Sequence, residues 1–199
     1  MSMNQRLIYV VGPSGAGKDS LLAWLRERLP VSLPVHWVRR TITRPAHAGG
    51  EDHESVDAPT FEAALQAGGF ALHWEANGLK YGIRQHELVP LANKHWVMLN
   101  GSRAHLEACC ARYPGLTVLH ITADTHILRN RLSQRGRESV EAIEARLQRF
   151  VNLAAPADSK LMEVRNNTSL DVAGHRLLLE LERLPGWPAD IGFVTGVKQ

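Results

Sequence analysis

The sequence predicts an α/β fold in which a parallel sheet carries helices on both faces. Two observations lead to this prediction. Short apolar runs of strand length alternate along most of the chain with amphipathic stretches of helical length. In addition, a glycine-rich turn at residues 12–17 joins the first apolar run to the first amphipathic stretch. The 199 residues suffice for one substantial domain with its own core.

The core elements follow from the spacing of apolar residues and from the Gly and Pro residues between them. Apolar runs predict core strands at 7–11, 96–99, 116–121 and 161–165. Apolar residues at helical spacing predict helices at 18–29, 84–91, 103–112, 125–134, 139–152 and 170–184. The tail, residues 187–199, shows no clear pattern.

A stretch of different character interrupts this core at residues 35–84. The segment 39–54 within it is polar and rich in arginine and histidine, so we predict a surface loop there. The other expected elements are a strand at 35–38, a helix from Pro59 to Gly68, and a hairpin whose strands 70–74 and 81–83 meet at an Asn77-Gly78 turn. We therefore expect one domain, 1–199, with a core at 1–34 and 85–199 and an inserted subdomain at 35–84.

The glycine-rich turn has the residues of a phosphate-binding loop, and its strand and helix flanks are those of a P-loop NTPase fold. Its glycines let the backbone curl and point N–H groups at an anion. The helix that follows adds its positive end, and the lysine supplies a mobile charge. The predicted phosphate-binding residues are Gly12, Pro13, Ser14, Gly15, Ala16, Gly17, Lys18, Asp19 and Ser20.

Asp19 departs from the usual pattern, in which Ser or Thr follows the lysine and binds Mg²⁺. A carboxylate is a hard oxygen donor that suits Mg²⁺, so Asp19 and Ser20 are the candidate metal ligands. The alternative is that Asp19 only stabilises the first helical turn through the helix dipole.

Two arginine clusters suggest a transfer reaction between two anions. Arg131 and Arg135 are four residues apart on one helix face, which suits a lid at about 131–150 that closes over a transferring phosphoryl group. Arg39, Arg40 and Arg44 lie in the predicted loop of the insertion and would form a basic cluster that holds an anionic acceptor. The alternatives are a solvated basic face and a charged hairpin loop.

Composition narrows the class of protein. The chain is 44% hydrophobic and 22% charged with a net charge of +3, which is ordinary for a soluble protein and gives no argument for nucleic acid. No apolar stretch is long enough to span a membrane. The two cysteines, Cys109 and Cys110, are adjacent in a predicted helix and cannot form an ordinary disulfide. We expect a cytoplasmic protein, and a homodimer is left open.

These motifs together resemble the guanylate kinase family over residues 7 to about 180. The resemblance rests on the loop at 12–18, Thr-Arg-Pro at 43–45, Gly-Glu at 50–51, a Trp at 74, Tyr-Gly at 81–82 and Arg-Leu-x-x-Arg-Gly at 131–136. It implies that the inserted hairpin binds the acceptor. Besides Lys18-Asp19-Ser20 in place of the family's Lys-Ser-Thr, three positions differ from that family: His73 replaces a glutamate that reads guanine, Asn100 replaces an acidic residue, and His53 replaces an aromatic residue. Unpaired guanine donors would be left desolvated, so GMP is not the expected acceptor.

The Gly-Lys-Asp-Ser loop, Gly-Gly-Glu-Asp-His at 49–53 and Asn-Gly-Ser-Arg at 100–103 resemble the ribose 1,5-bisphosphate phosphokinase family of phosphonate breakdown. That resemblance implies transfer from Mg²⁺–ATP to the 1-phosphate of ribose 1,5-bisphosphate. It implies catalytic roles for Lys18, Arg131 and Arg135. The implied acceptor-binding residues are Arg40, Arg44, His53, His73, Tyr81 and Asn100. Guanylate kinase, another small-molecule phosphate kinase, and a non-catalytic binding module of the same fold are the alternatives.

Overall fold

The computed structural model describes residues 2–45, 52–134, 136, 139–148, 156 and 158–188. The strands among them are β1 Leu7–Val11, β2 Val35–Trp37, β3 Arg40–Ile42, β4 His53–Ser55, β5 Phe70–Ala76, β6 Leu79–Arg84, β7 Trp96–Asn100, β8 Thr117–Thr122 and β9 Lys160–Arg165. The α-helices are α1 Lys18–Arg28, α2 Ala58–Gln66, α3 Val89–Ala92, α4 Leu106–Arg112, α5 Thr125–Gln134, α6 Val140–Gln148 and α7 Leu170–Glu182.

The larger sheet has five parallel strands in the order β2-β7-β1-β8-β9. Every residue of β1 is buried, because the strand lies in the middle of the sheet with helices on both faces. Alternate residues of β1 enter two different core clusters: Ile8 packs with α1, α5 and α7, and Leu7 packs with α4. The predicted parallel α/β sheet is confirmed.

The smaller sheet has four strands in the order β4-β3-β6-β5 and carries the predicted hairpin. β5 and β6 are antiparallel and meet at Asn77 and Gly78, whose φ angles of 51° and 72° are those that this short turn requires. The prediction of a surface loop over 39–54 was wrong for its described residues. They include β3 and β4, which pair with each other and are too short to show a period-two pattern.

The strand β2 lies in the larger sheet, where it pairs with β7. The sequence analysis places these residues in the inserted subdomain at 35–84. In the structure, the smaller sheet begins at Arg40 instead. The pairing partner of an edge strand is set by tertiary packing, which local sequence does not encode. Glu87 fixes the junction: its carboxylate accepts hydrogen bonds from the His36 ring, at 2.6 Å, and from the Arg39 backbone N–H, at 3.2 Å.

Smaller differences concern the helix ends. The predicted helix at 84–91 is a 3₁₀ turn, Gln85–Leu88, followed by the short helix α3. The helix predicted to reach 152 is described only as far as Gln148. Trp187 packs on Trp96, with ring centroids 5.0 Å apart, so the core extends one residue into the predicted tail, and residues 189–199 lie outside the described part. Within the described residues, no helix combines the length and the apolar character needed to cross a membrane.

Candidate active site

A cleft of about 440 Å³ opens where the carboxyl ends of β1 and β7 meet the hairpin of the smaller sheet. Parallel strands bring their carboxyl ends to one edge, which is where α/β sheets bind ligands. Its lining residues come from the loop after β1 and the start of α1, from the end of β7 and the residues after it, from β3 and the hairpin, and from α5 and α6. They are Gly12, Pro13, Ser14, Lys18, Asp19, Arg40, Trp74, Ala76, Asn77, Tyr81, Asn100, Gly101, Ser102, Arg103, Ala104, Leu132 and Leu147.

The glycine-rich loop is held in shape by backbone conformation and by one buried amide. Gly17, the residue before α1, has a φ of 84°, a left-handed conformation that glycine adopts without strain. A Cβ atom at Gly17 would lie 2.5 Å from Nδ2 of Asn166. That Nδ2 donates a hydrogen bond to the Ala16 carbonyl at 2.8 Å. The loop therefore needs glycine at 17 for two independent reasons.

Lys18 is the first residue of α1 and also lines the cleft. Its ammonium donates hydrogen bonds to the carbonyls of Gly12, at 2.9 Å, and Pro13, at 3.2 Å, which fold the side chain back over the loop. The positive end of α1 lies at the same place, so the loop combines a helix N-terminus with a lysine charge. Such a combination is suited to binding phosphate groups, and this role of Lys18 stays a prediction.

Asp19 and Ser20, the two predicted metal ligands, lie in different pockets. Asp19 lines the cleft, where its Oδ1 accepts a hydrogen bond from Nδ2 of Asn100 at 2.7 Å. Ser20 lines a second pocket of about 350 Å³. Consecutive residues of a helix point in directions about 100° apart, so the two side chains diverge.

The second pocket lies on the other side of the loop, against α5 and the start of α7. Arg131 lines it, and its Nη1 donates a hydrogen bond to the Gly15 carbonyl at 3.4 Å. Arg131 is therefore in contact with the loop, and its role as a lid residue stays a prediction. The other predicted lid arginine, Arg135, lies outside the described residues, as does the end of the predicted lid segment.

A stack of aromatic and cationic groups forms the wall of the cleft on the hairpin side. The Trp74 and Tyr81 rings are stacked with centroids 5.5 Å apart and planes 2° apart, and the His105 ring stacks on Trp74 at 5.5 Å. The Arg40 guanidinium lies over the Tyr81 ring, 5.2 Å from its centroid. Cation–π contact and ring stacking thus hold Arg40 and Tyr81 in fixed positions on this wall.

Three predicted acceptor residues are absent from the described lining of this cleft. Arg44 lines a separate pocket of about 550 Å³ beside the start of α2. His53 is 4% exposed, and one of its ring nitrogens lies 3.1 Å from the Arg44 carbonyl. His73 is exposed on β5, next to the cleft residue Trp74. The structure thus brings together Arg40, Tyr81 and Asn100 but not Arg44, His53 and His73.

Gly101, the first residue after β7, lies against the side chain of Tyr9 in β1, where a larger residue would not fit. A Cβ atom at Gly101 would lie 2.0 Å from Cζ of Tyr9. The Tyr9 hydroxyl donates to the Ser102 carbonyl and accepts from the Ser102 N–H, both at 3.0 Å. Burial raises the pKa of Tyr9, so this hydroxyl remains a donor.

Two charged or titratable residues near the loop were not predicted as site residues. Arg103 lines the cleft, and burial lowers the pKa of its guanidinium. His120, within β8, has a pKa lowered mainly by burial; the carboxylate of Glu163 opposes this shift, and the charges of Arg103 and Lys18 add to it. These three groups therefore lie close enough to share one electrostatic field. The Asn-Gly-Ser-Arg motif contained Arg103, but a single arginine after a strand carries no specific signal by itself.

Curated relatives named ribose 1,5-bisphosphate phosphokinase match most of the chain. The relative from Azotobacter vinelandii is 45% identical over 177 residues, which make up 88% of this chain and 95% of the relative. The relative from Rhizobium etli is 43% identical over 178 residues, which are 89% of this chain and 90% of the relative. The one from Thiobacillus denitrificans is 42% identical over 173 residues, 87% and 90% of the two chains. No protein-family model matches the chain.

A solved guanylate kinase from Anaplasma phagocytophilum has a similar structure. The TM-score is 0.54 at 17% sequence identity, and the match covers 90% of this chain and 86% of the other. At this level of identity the likeness shows a shared fold, because one fold hosts many activities. The fold is therefore that of the guanylate-kinase-like P-loop proteins, as the sequence predicted.

Proposed function

The chain belongs to the ribose 1,5-bisphosphate phosphokinase family, and we propose that its cleft transfers the γ-phosphoryl group of ATP to the 1-phosphate of ribose 1,5-bisphosphate. The products are 5-phosphoribosyl 1-diphosphate and ADP. One observation supports this best: a single cleft has anion-binding groups at both ends. Lys18 and the glycine-rich loop lie at one end, and Arg40 on Tyr81 lies at the other. Phosphoryl transfer between two anions needs this arrangement.

On the donor side, the loop and Lys18 hold the β- and γ-phosphates of ATP. Arg131 contacts the loop from the second pocket, which also contains Ser20 and Asn166. This pocket continues from the loop away from the cleft, so we assign it to the base and ribose of the donor. Arg131, and Arg135 by the resemblance, would neutralise charge on the transferring group.

On the acceptor side, Arg40 and Tyr81 bind the acceptor phosphates, and Asn100 and Arg103 border the space between them and the loop. Arg44, His53 and His73 are not among the described lining residues of this cleft, and their acceptor role stays a prediction that rests on the resemblance. The acceptor is a small molecule, because the cleft measures about 440 Å³. A cytoplasmic location agrees with the use of ATP and with the free, buried thiols of Cys109 and Cys110, and the homodimer stays a prediction.

The chemistry needs no general base, since the attacking oxygen of the acceptor phosphate is already anionic. What the protein supplies is position and positive charge. The cleft also fits a magnesium ion. Asp19 offers a hard carboxylate oxygen, and Oδ1 of Asn100 is buried without a hydrogen-bond partner among the described residues. Asp19 would hold Mg²⁺, which neutralises phosphate charge when it is bound.

Guanylate kinase activity is less well supported. A site that reads guanine needs acceptors for the ring N–H and the amino group, and carboxylates serve best. Asp19 supplies the carboxylate among the described lining residues, and its Oδ1 already accepts a hydrogen bond from the amide of Asn100. Guanine would therefore leave its donors unpaired in the cleft, which costs about 1–3 kcal/mol for each group.

The test is an ADP-release assay with ATP and, in parallel, ribose 1,5-bisphosphate, GMP, dGMP and gluconate. Of the four acceptors, we expect only ribose 1,5-bisphosphate to support turnover. ³¹P NMR of the product should then show a diphosphate group and a phosphate monoester. Lys18→Met should abolish turnover, since it removes the ammonium from the loop. Turnover with GMP and none with the bisphosphate would overturn the proposal.

A further inference from the structure

Asp19 and Asn100 are 81 positions apart in the chain but touch on the floor of the cleft. Asn100 is the last residue of β7 and is in register with Val10 of β1, just before the glycine-rich loop. Asp19 lies in the first turn of α1, just after that loop. Strand pairing therefore brings the end of β7 beside the residue that follows the loop lysine.

In P-loop enzymes the metal is usually held by a Ser or Thr hydroxyl after the loop lysine and by an aspartate from a core strand. The usual pair is thus a neutral oxygen on the loop side and a carboxylate on the strand side. Here the loop side has the carboxylate of Asp19, and the strand side has the amide of Asn100. The total charge of the pair is the same, but the two chemical groups stand in opposite places.

We propose that positions 19 and 100 form one metal-holding pair whose chemical roles are exchanged. Asp19 supplies the carboxylate from the loop, and Asn100 is a positioning residue that fixes the orientation of that carboxylate. This inference rests on the proposed kinase function, because it concerns the metal that accompanies the donor nucleotide.

The hydrogen bond supports the positioning role. Nδ2 of Asn100 donates to Oδ1 of Asp19 at 2.7 Å, which leaves Oδ2 of the carboxylate for a metal ion. A flipped amide would place its oxygen against the carboxylate, where neither atom can donate, so the orientation is set by electrostatics.

The other end of the amide supports a ligand in the cleft. Asn100 is 7% exposed, and its Oδ1 has no hydrogen-bond partner among the described residues. A buried acceptor without a partner is unfavourable, so such an atom calls for an explanation. A metal ion or its bound water beside Asp19 would satisfy it, because amide oxygens are suitable hard ligands.

The pair also explains why the strand end is not acidic in this chain. An aspartate at position 100 would face Asp19 at hydrogen-bond distance. Two carboxylates so close would repel each other. The presence of Asp19 on the loop therefore favours a neutral residue at the end of β7.

The test is a reciprocal exchange with four variants: Asp19→Ser, Asn100→Asp, the double variant, and Asn100→Ala. The probe is Mn²⁺, whose free concentration is measured by electron paramagnetic resonance in the presence of saturating ADP. ADP affinity measured in EDTA serves as the control for an intact loop, and the melting temperature serves as the control for folding.

We expect Asp19→Ser and Asn100→Ala each to weaken Mn²⁺ binding by about 10-fold or more, with little change in ADP affinity in EDTA. We expect the double variant to recover binding to within about threefold of the natural chain, because it restores the usual arrangement. If Mn²⁺ binding recovers only in the double variant, positions 19 and 100 are coupled through the metal. An asparagine with a merely structural role would not produce this coupling.

Two outcomes would overturn the inference: unchanged Mn²⁺ binding in Asp19→Ser, or a double variant as weak as Asp19→Ser alone. This assay uses ADP and Mn²⁺ without any acceptor. If the acceptor is not ribose 1,5-bisphosphate, the turnover assay will fail while the Mn²⁺ assay still shows coupling between positions 19 and 100. The two proposals can therefore fail separately.

Discussion

Replacing Arg40 by alanine is the sharpest test of the acceptor end of the cleft. The change removes the guanidinium that lies 5.2 Å over the Tyr81 ring and lines the cleft opposite the loop. A hydrogen bond to a charged group contributes about 1.5–3 kcal/mol, and 1.4 kcal/mol corresponds to a factor of ten. We therefore expect kcat/KM for ribose 1,5-bisphosphate to fall about 10- to 150-fold in Arg40→Ala. The KM for ATP should change less than about twofold, since Arg40 is on the other wall.

The adjacent arginine provides a matched control. Arg39 is 54% exposed, and its Nη2 contacts Asp52 at 3.3 Å and the His53 carbonyl at 3.3 Å. It is not among the described residues that line the cleft. Arg39→Ala removes the same charge from the next position, so it should change kcat/KM for the acceptor by no more than about threefold, the size of a surface effect.

The assay is coupled ADP release with either substrate varied at saturating concentrations of the other. Arg40→Lys gives a graded comparison, because lysine keeps the charge but loses the planar group that stacks on Tyr81 and binds phosphate bidentately. We expect kcat/KM for the acceptor in Arg40→Lys to lie between the values for the natural chain and for Arg40→Ala. Two results would refute this interpretation of the acceptor wall. One is an equal fall in kcat/KM for the acceptor in Arg39→Ala and Arg40→Ala, and the other is a rise in the KM for ATP in Arg40→Ala as large as the rise in the KM for the acceptor.

Other predictions concern the loop, the strand end and pH. Arg131→Ala should lower kcat/KM for ATP about 10- to 100-fold with little effect on the acceptor KM, because it removes a charged donor from the loop; an acceptor-specific effect would contradict this. Gly101→Ala should cost about 1–3 kcal/mol in urea unfolding, because the new Cβ would meet the Tyr9 ring at 2.0 Å. Burial lowers the pKa of both His105 and His120 below the usual value. Below about pH 6.5 the unfolded chain therefore binds more protons than the folded one, and the free energy of unfolding should fall as pH drops. Urea unfolding from pH 8 to 5.5 measures this, and the double variant with glutamine at both positions should show a shallower decline.

The glycine-rich loop shows which part of the site the sequence could predict. Its strand, turn, lysine and helix all lie within about twenty consecutive residues, so local propensity fixes them. The observed β1 and the start of α1 at Lys18 agree with the prediction. The Asn77-Gly78 hairpin was equally local, because those two residues alone favour the required turn.

The acceptor end shows where local reasoning was insufficient. Arg40 and Arg44 looked equivalent in the sequence, but β3 pairs with β6 and directs Arg40 to Tyr81, while Arg44 lies beside His53. The strands β3 and β4 have only three residues each, so no periodic pattern could reveal them.

The sequence by itself determined the α/β class, the phosphate-binding loop and the family, because each depends on residues that are neighbours in the chain. The tertiary structure decided which side chains share the cleft. It placed β2 in the larger sheet and directed the Ser20 side chain into a different pocket from that of Asp19. It also brought Asp19 and Asn100 into hydrogen-bond contact. The physical reason is that sheet order and strand register bring together residues far apart in sequence, and those pairings depend on burial and hydrogen bonding across the whole fold.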